Sequence, residues 1–170
     1  SDHGLYVPGI ATLDLERKRA ERALPDPWQT DTSIGPWGYN ALRPYRPTVD
    51  MVHELVDIVS KNGNMLLNVP PKADGTLDEE TERILANIGR WLDVNGEAIY
   101  GTRPWSVAEQ DDVRYTHKEN TLYAIVLGWP GTSVTLQAVQ DVRVQAVSML
   151  GSRETLLWSR EGEGLTIQAP

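Results

Sequence analysis

Residues 27–40 read Pro-Trp-Gln-Thr-Asp-Thr-Ser-Ile-Gly-Pro-Trp-Gly-Tyr-Asn, which puts aromatic rings, amides, hydroxyls and a carboxylate on one Gly- and Pro-rich segment. Such a set suits a sugar, whose C–H face packs on an indole while its hydroxyls need hydrogen-bonding partners. Composition alone serves equally the reading in which Trp28 and Trp37 pin a long loop onto a core. Hydrolysis of a glycosidic bond ordinarily takes two carboxylates, one to donate a proton and one to act as nucleophile or base. Asp14, Glu16, Glu21, Asp26 and Asp31 are the carboxylates of this region, most of them expected to be solvated surface charges.

Other chemistries lack their residues. There is no cysteine, so no disulfide, thiolate metal site or catalytic thiol is available. His3, His53 and His117 show no metal-ligand spacing, and Asp74-Gly75-Thr76 lacks the alternating carboxylates of a calcium loop. A Gly-rich phosphate motif and a Gly-x-Ser-x-Gly elbow are missing too. Neither a metal nor a cofactor is expected. The 170 residues carry 16 basic and 24 acidic side chains, a net charge of −8 without a basic tail or acidic block, which argues against a nucleic-acid or anionic-membrane partner. No apolar run approaches the roughly 20 residues of a membrane span.

The elements that must position these groups follow from periodicity. Residues 1–47 read as an irregular region, with residues 14–22 either a short charged helix or a solvated turn. From Thr48, as N-cap, Met51, Val52, Leu55, Val56 and Val59 trace an amphipathic helix that Gly63 ends. Residues 64–69 are a short apolar run stopped by Pro70-Pro71, as expected of a strand buried on both faces. After the Asp74-Gly75 turn, Asp78, Glu79 and Glu80 open a second helix with an Ile84, Leu85, Ile88, Trp91, Leu92 stripe, closed by Asn95-Gly96. Beyond Trp105 the pattern becomes short strands at 113–117, 121–128, 134–138, 142–150, 156–158 and 165–169, with breaks such as Pro130-Gly131 and residues 161–164. The fold expected is α/β plus all-β: residues 1–104 closing a (β/α)8-like barrel, then an antiparallel β-sandwich over 105–170 that lacks its last strand if the chain stops early.

Taken in order, residues 28–34 with Trp37-Gly38-Tyr39, residues 55–70, Asp74-Gly75, residues 88–100, Tyr123-Ala124-Ile125 and Met149-Leu150-Gly151 resemble the second half of a family 29 glycoside hydrolase, an α-L-fucosidase. The resemblance implies a retaining exo-glycosidase that releases terminal α-L-fucose from glycans or glycoconjugates. An aspartate nucleophile and a second carboxylate then sit about 5–5.5 Å apart in one pocket. It also implies a secreted, periplasmic or lysosomal-type compartment.

Two departures stand out. The family's nucleophile motif has no match here, so the nucleophile is expected from an upstream half of the catalytic domain, in the same protein or another chain, and this chain alone is expected to be inactive. The family's Trp-Glu-x-x-Thr-Ser acid/base motif stands here as Trp28-Gln29-Thr30-Asp31-Thr32-Ser33, and an amide has no proton to give. Three explanations are open for Gln29: an engineered change, a natural residue with Glu16 as the acid/base, or a natural residue with Asp31 in that role. By resemblance Trp28, Asp31 and Trp37 bind substrate. The alternative from another class is a non-catalytic carbohydrate-binding or interaction module.

Overall fold

A computed structural model describes residues 10–170, apart from Pro130, Asp141 and Glu163. His3 and parts of two expected strand breaks therefore lie outside the described residues. The chain divides into two compact units, one ending at Leu92 and the other beginning at Asp93.

The first unit is built on a parallel three-stranded sheet of β1 (Leu13–Asp14), β2 (Trp28–Ser33) and β3 (Gly63–Asn68), in that order. Helix α1 (Thr48–Ser60) links β2 to β3, and α2 (Glu79–Asn95) follows β3. The sheet corrects one expectation: residues 28–33 are a central strand rather than part of an irregular loop. Of the two readings of residues 14–22 the turn holds, since they form a strand end and turns and no helix. Apart from Trp28 the residues of β2 are polar in type, yet Thr30 and Thr32 are buried beside it on one side. Thr30 meets its polar requirement by donating to the Leu15 carbonyl at 2.6 Å.

Trp28 is the keystone of that side. It has no exposed surface, packs with Ala20 and Ile58, and donates its indole N–H to the Lys61 carbonyl at 2.9 Å. Helix α1 buries Met51, Val56 and Ile58 fully, each contributing about 1.5–3 kcal/mol on leaving water, whereas Leu55 and Val59 are only half-buried. Its cap is Pro47 rather than Thr48, which is the first helical residue and makes no capping bond. Proline's missing N–H costs nothing there, since a helix offers that N–H no partner. At the other end Asn62, at φ 71°, takes the left-handed position expected of Gly63, which instead begins β3. Leu66 pairs with Asp31 on the face opposite Trp28 and is 56% exposed, so β3 is not buried on both faces. Asp78 caps α2 by accepting the Thr81 N–H at 2.8 Å, the first cause of its lowered pKa, while Tyr45 O–H donates to its other oxygen at 2.8 Å.

The second unit is antiparallel. A 3-10 turn (Gly96–Ala98) leads into β4 (Arg103–Gln110), β5 (Val113–Lys118) and β6 (Thr121–Val126), which pair in order. β7 (Ser133–Leu136), β8 (Trp158–Glu161) and β9 (Gly164–Gln168) form a second sheet with β9 in the middle. Val113 and Tyr115 of the first sheet and Leu136 and Leu165 of the second share one core with Val139. β4 was not anticipated: it contains Pro104, and its register with β5 shifts between Pro104 and Glu109. Residues 142–150, expected to be a strand, are irregular, although Val142, Val144 and Val147 still pack on the core.

Candidate functional site

In parallel α/β sheets, ligands gather at the carboxyl ends of the strands. Here those ends are the turn after β1 with Glu16 and Arg17, the segment after β2 with Gly35 and Trp37, and Asn68 closing β3. The register sets Asp14 beside Gln29, Gln29 beside Asn64, Asp31 beside Leu66 and Ser33 beside Asn68. Alternation places all of these on the face opposite Trp28, Thr30 and Thr32. That face is thus largely polar, which a closed apolar core would not tolerate.

Its groups are tied together at the carboxyl end. The Arg17 backbone N–H donates to the Asp31 carbonyl at 2.9 Å, which carries the β1–β2 pairing one step beyond the strands. The Arg17 guanidinium lies 4.3 Å over the Trp37 ring and donates to the Gly35 carbonyl at 3.1 Å. Asn68 donates to the Ser33 hydroxyl at 3.0 Å and to the Trp37 carbonyl at 3.1 Å. Further along, Arg46 anchors the same segment: its N–H donates to the Ile34 carbonyl at 2.7 Å and its guanidinium pairs with the buried Glu54 of α1 at 2.6 Å.

Glu16 and Trp37 are brought to one end of the sheet, both exposed to solvent, and Arg17 bridges their segments. Asp31 points from the polar face, and among the described residues its Oδ1 is buried without a hydrogen-bond partner. Gln29 lies one pleat deeper, its amide N–H directed at Asp14 Oδ2 at 3.4 Å. Trp28 is not at the site. Its ring is wholly enclosed on the α1 side, so it is a packing residue and no sugar can stack on it.

Comparison with known proteins matches residues 9–97 to the family described as alpha-L-fucosidase and residues 108–170 to the alpha-L-fucosidase C-terminal domain. The chain belongs to the α-L-fucosidase family. An alpha-L-fucosidase of Branchiostoma floridae is 39% identical over 144 residues, covering 79% of this chain and 32% of that protein. The tissue alpha-L-fucosidase of Homo sapiens is 37% identical over 179 residues, covering 99% of this chain and 37% of the relative. Among solved structures, alpha-L-fucosidase isoenzyme 1 from Paenibacillus thiaminolyticus superposes with a TM-score of 0.84 at 29% identity, over 92% of this chain and 40% of that one. The chain therefore spans about a third of the length of the curated fucosidases it matches.

The end of this sheet offers a carboxylate, a half-exposed indole and a carboxyl oxygen that has no hydrogen-bond partner among the described residues. Two contributors escaped the sequence reading. Arg17 reads as one charge in a basic run, and Asn68 reads as a strand end. Only the register, which sets Asn68 opposite Ser33, and the left-handed turn at Arg17 reveal what they hold.

Proposed function

We propose that this chain supplies the acid/base and part of the substrate pocket of a retaining α-L-fucosidase that removes terminal α-L-fucose from glycans or glycoconjugates. The observation that carries the proposal is the Arg17 bridge, which keeps the Glu16 turn and the Trp37 ring within one side chain's reach of each other. Residues 1–104 complete a (β/α)8-like catalytic domain and residues 105–170 a β-sandwich. The matches to two family models, one ending at residue 97 and the other beginning at 108, support a division in that interval.

In this reading the nucleophilic aspartate comes from residues outside this chain. Its carboxylate attacks the anomeric carbon while Glu16 gives its proton to the departing glycosidic oxygen. Glu16, now a carboxylate, takes a proton from water, whose oxygen displaces the enzyme from the anomeric carbon and regenerates both groups. Trp37 packs on the fucose ring, and Asp31 Oδ1 accepts a hydrogen bond there that the described residues leave unmade.

The test is Glu16→Ala in the complete enzyme, assayed on an aryl α-L-fucoside. The expected result is a kcat lower by about 10²–10⁴-fold, restored by azide, which needs no proton removed to attack the intermediate. Unchanged kinetics would remove Glu16 from the mechanism. Calorimetric fucose binding by the complete protein without any hydrolysis would instead make it a carbohydrate-binding module.

A further inference from the structure

We propose that Arg17 is a positioning residue that fixes the Trp37 ring against the substrate and so sets KM. This rests on the reading of Trp37 as a fucose platform. Arg17 has φ 51°, in the left-handed region that residues with a Cβ seldom enter. The conformation is held from several sides: its N–H bonds the Asp31 carbonyl at 2.9 Å, and the next residue, Lys18, donates to the Leu15 carbonyl at 3.0 Å. The outcome is that the side chain leaves the turn towards Trp37 rather than continuing the strand.

Trp37 needs such a support. The residue is 41% exposed and Asn68 bonds its carbonyl, while among the described residues no hydrogen bond holds its indole N–H. The guanidinium supplies what is missing. It lies over one ring face at 4.3 Å while donating to the Gly35 carbonyl two residues earlier, which fixes its own position. A planar, forked group can do both at once, and a lysine ammonium cannot. With one face covered by Arg17, only the remaining ring surface is open to a sugar, so the bound orientation is set before the ligand arrives. Truncation leaves the backbone bond to Asp31 intact, and the Glu16 turn should keep its place.

The experiment compares R17A, R17K, W37A and the double variant R17A/W37A in the complete enzyme, with kcat and KM on an aryl α-L-fucoside. R17A should raise KM about two- to fivefold, the size of an exposed cation–π contact, with kcat nearly unchanged and thermal midpoint preserved. R17K should show a smaller rise of the same kind, which keeps the test decisive if R17A folds poorly. Adding R17A to W37A should raise KM no further. The emission of Trp37, taken as the difference between wild type and W37F, should become more quenchable by acrylamide in R17A. A KM unmoved by R17A where W37A raises it, or an equal rise in both backgrounds, would overturn the role of Arg17. A KM unmoved by W37A would overturn the platform and this proposal together.

Discussion

Gly63 and Trp28 occupy one space: a Cβ on Gly63 would lie 2.5 Å from Cζ2 of the Trp28 indole and 2.7 Å from Cγ2 of Ile58. Neither neighbour can yield, because the ring is wholly buried and its N–H is bound to the Lys61 carbonyl. Gly63→Ala is therefore expected to lower unfolding free energy by about 1–3 kcal/mol through overpacking, measured by chemical denaturation. Trp28→Leu should cost more alone, yet the pair should be less damaging than the sum of the two, since the smaller side chain vacates the space that the alanine needs. Additive effects would show that the backbone relaxes instead.

The ion pair between Arg46 and Glu54 is asymmetric, with side-chain exposures of 40% and 8%. Removing the arginine strands a buried carboxylate, whereas removing the carboxylate leaves a cation that still reaches water. Arg46→Met should accordingly destabilise by about 1–2 kcal/mol, below the 3–5 kcal/mol of a fully enclosed pair because solvent already screens Arg46. Glu54→Gln should cost less. Denaturation midpoints in the reverse order would show that the buried Glu54 carboxylate does not depend on Arg46 to offset its burial.

How much of this was legible depended on which side of each element met the core. The two helices were plain because Met51, Val52 and Val56, and then Ile84 and Ile88, repeat at helical spacing and are indeed buried. β2 was not, because residues 28–33 offer no alternation of apolar and polar types: Thr30 and Thr32 stand where valines would be, with threonine hydroxyls bonded to neighbours. The opposite error came at residues 142–150, where Val142 and Val144 alternate like a strand but pack on the core from an irregular chain. Glu16, Asp31 and Trp37 are candidates by residue type and resemblance, and Trp28 carries the same signal although it is core. An indole's sequence context does not say which face of the sheet it joins.

Two tyrosines of the second unit give an alkaline signature. Tyr115 is pushed up to about 12 by burial, with Asp111 adding, and Tyr123 to about 12 by burial, with its hydrogen bond to Glu97 at 2.6 Å adding. An unfolded tyrosine titrates near 10, so the folded state holds these protons longer. Their contribution is complete below about pH 10 and is lost as pH rises from there through about 12. Tyr123→Phe should flatten the fall of stability over that window, followed by denaturation at stepped pH alongside tyrosinate absorbance. A fall identical to wild type would mean that neither burial nor Glu97 perturbs this phenol.

Gln29 is where the competing accounts of the acid/base part company. Its amide directs an N–H at Asp14 Oδ2 across the β1–β2 pair, so a glutamate there would set two carboxylates side by side. Like charges at that range favour protonation of one of them, and the folded pKa of the pair rises above the unfolded values near 4. Gln29→Glu should thus cost little stability at pH 4 and progressively more as pH rises through the folded value. With Glu16 as the acid/base, as proposed, turnover of the complete enzyme should not increase. If Gln29→Glu instead raised kcat by about 10²–10⁴-fold, the proton donor would belong at position 29, and Glu16 would revert to a solvated charge. The same variant therefore reads the two questions separately: its stability profile reports the Asp14 contact, and its kinetics report where the proton comes from.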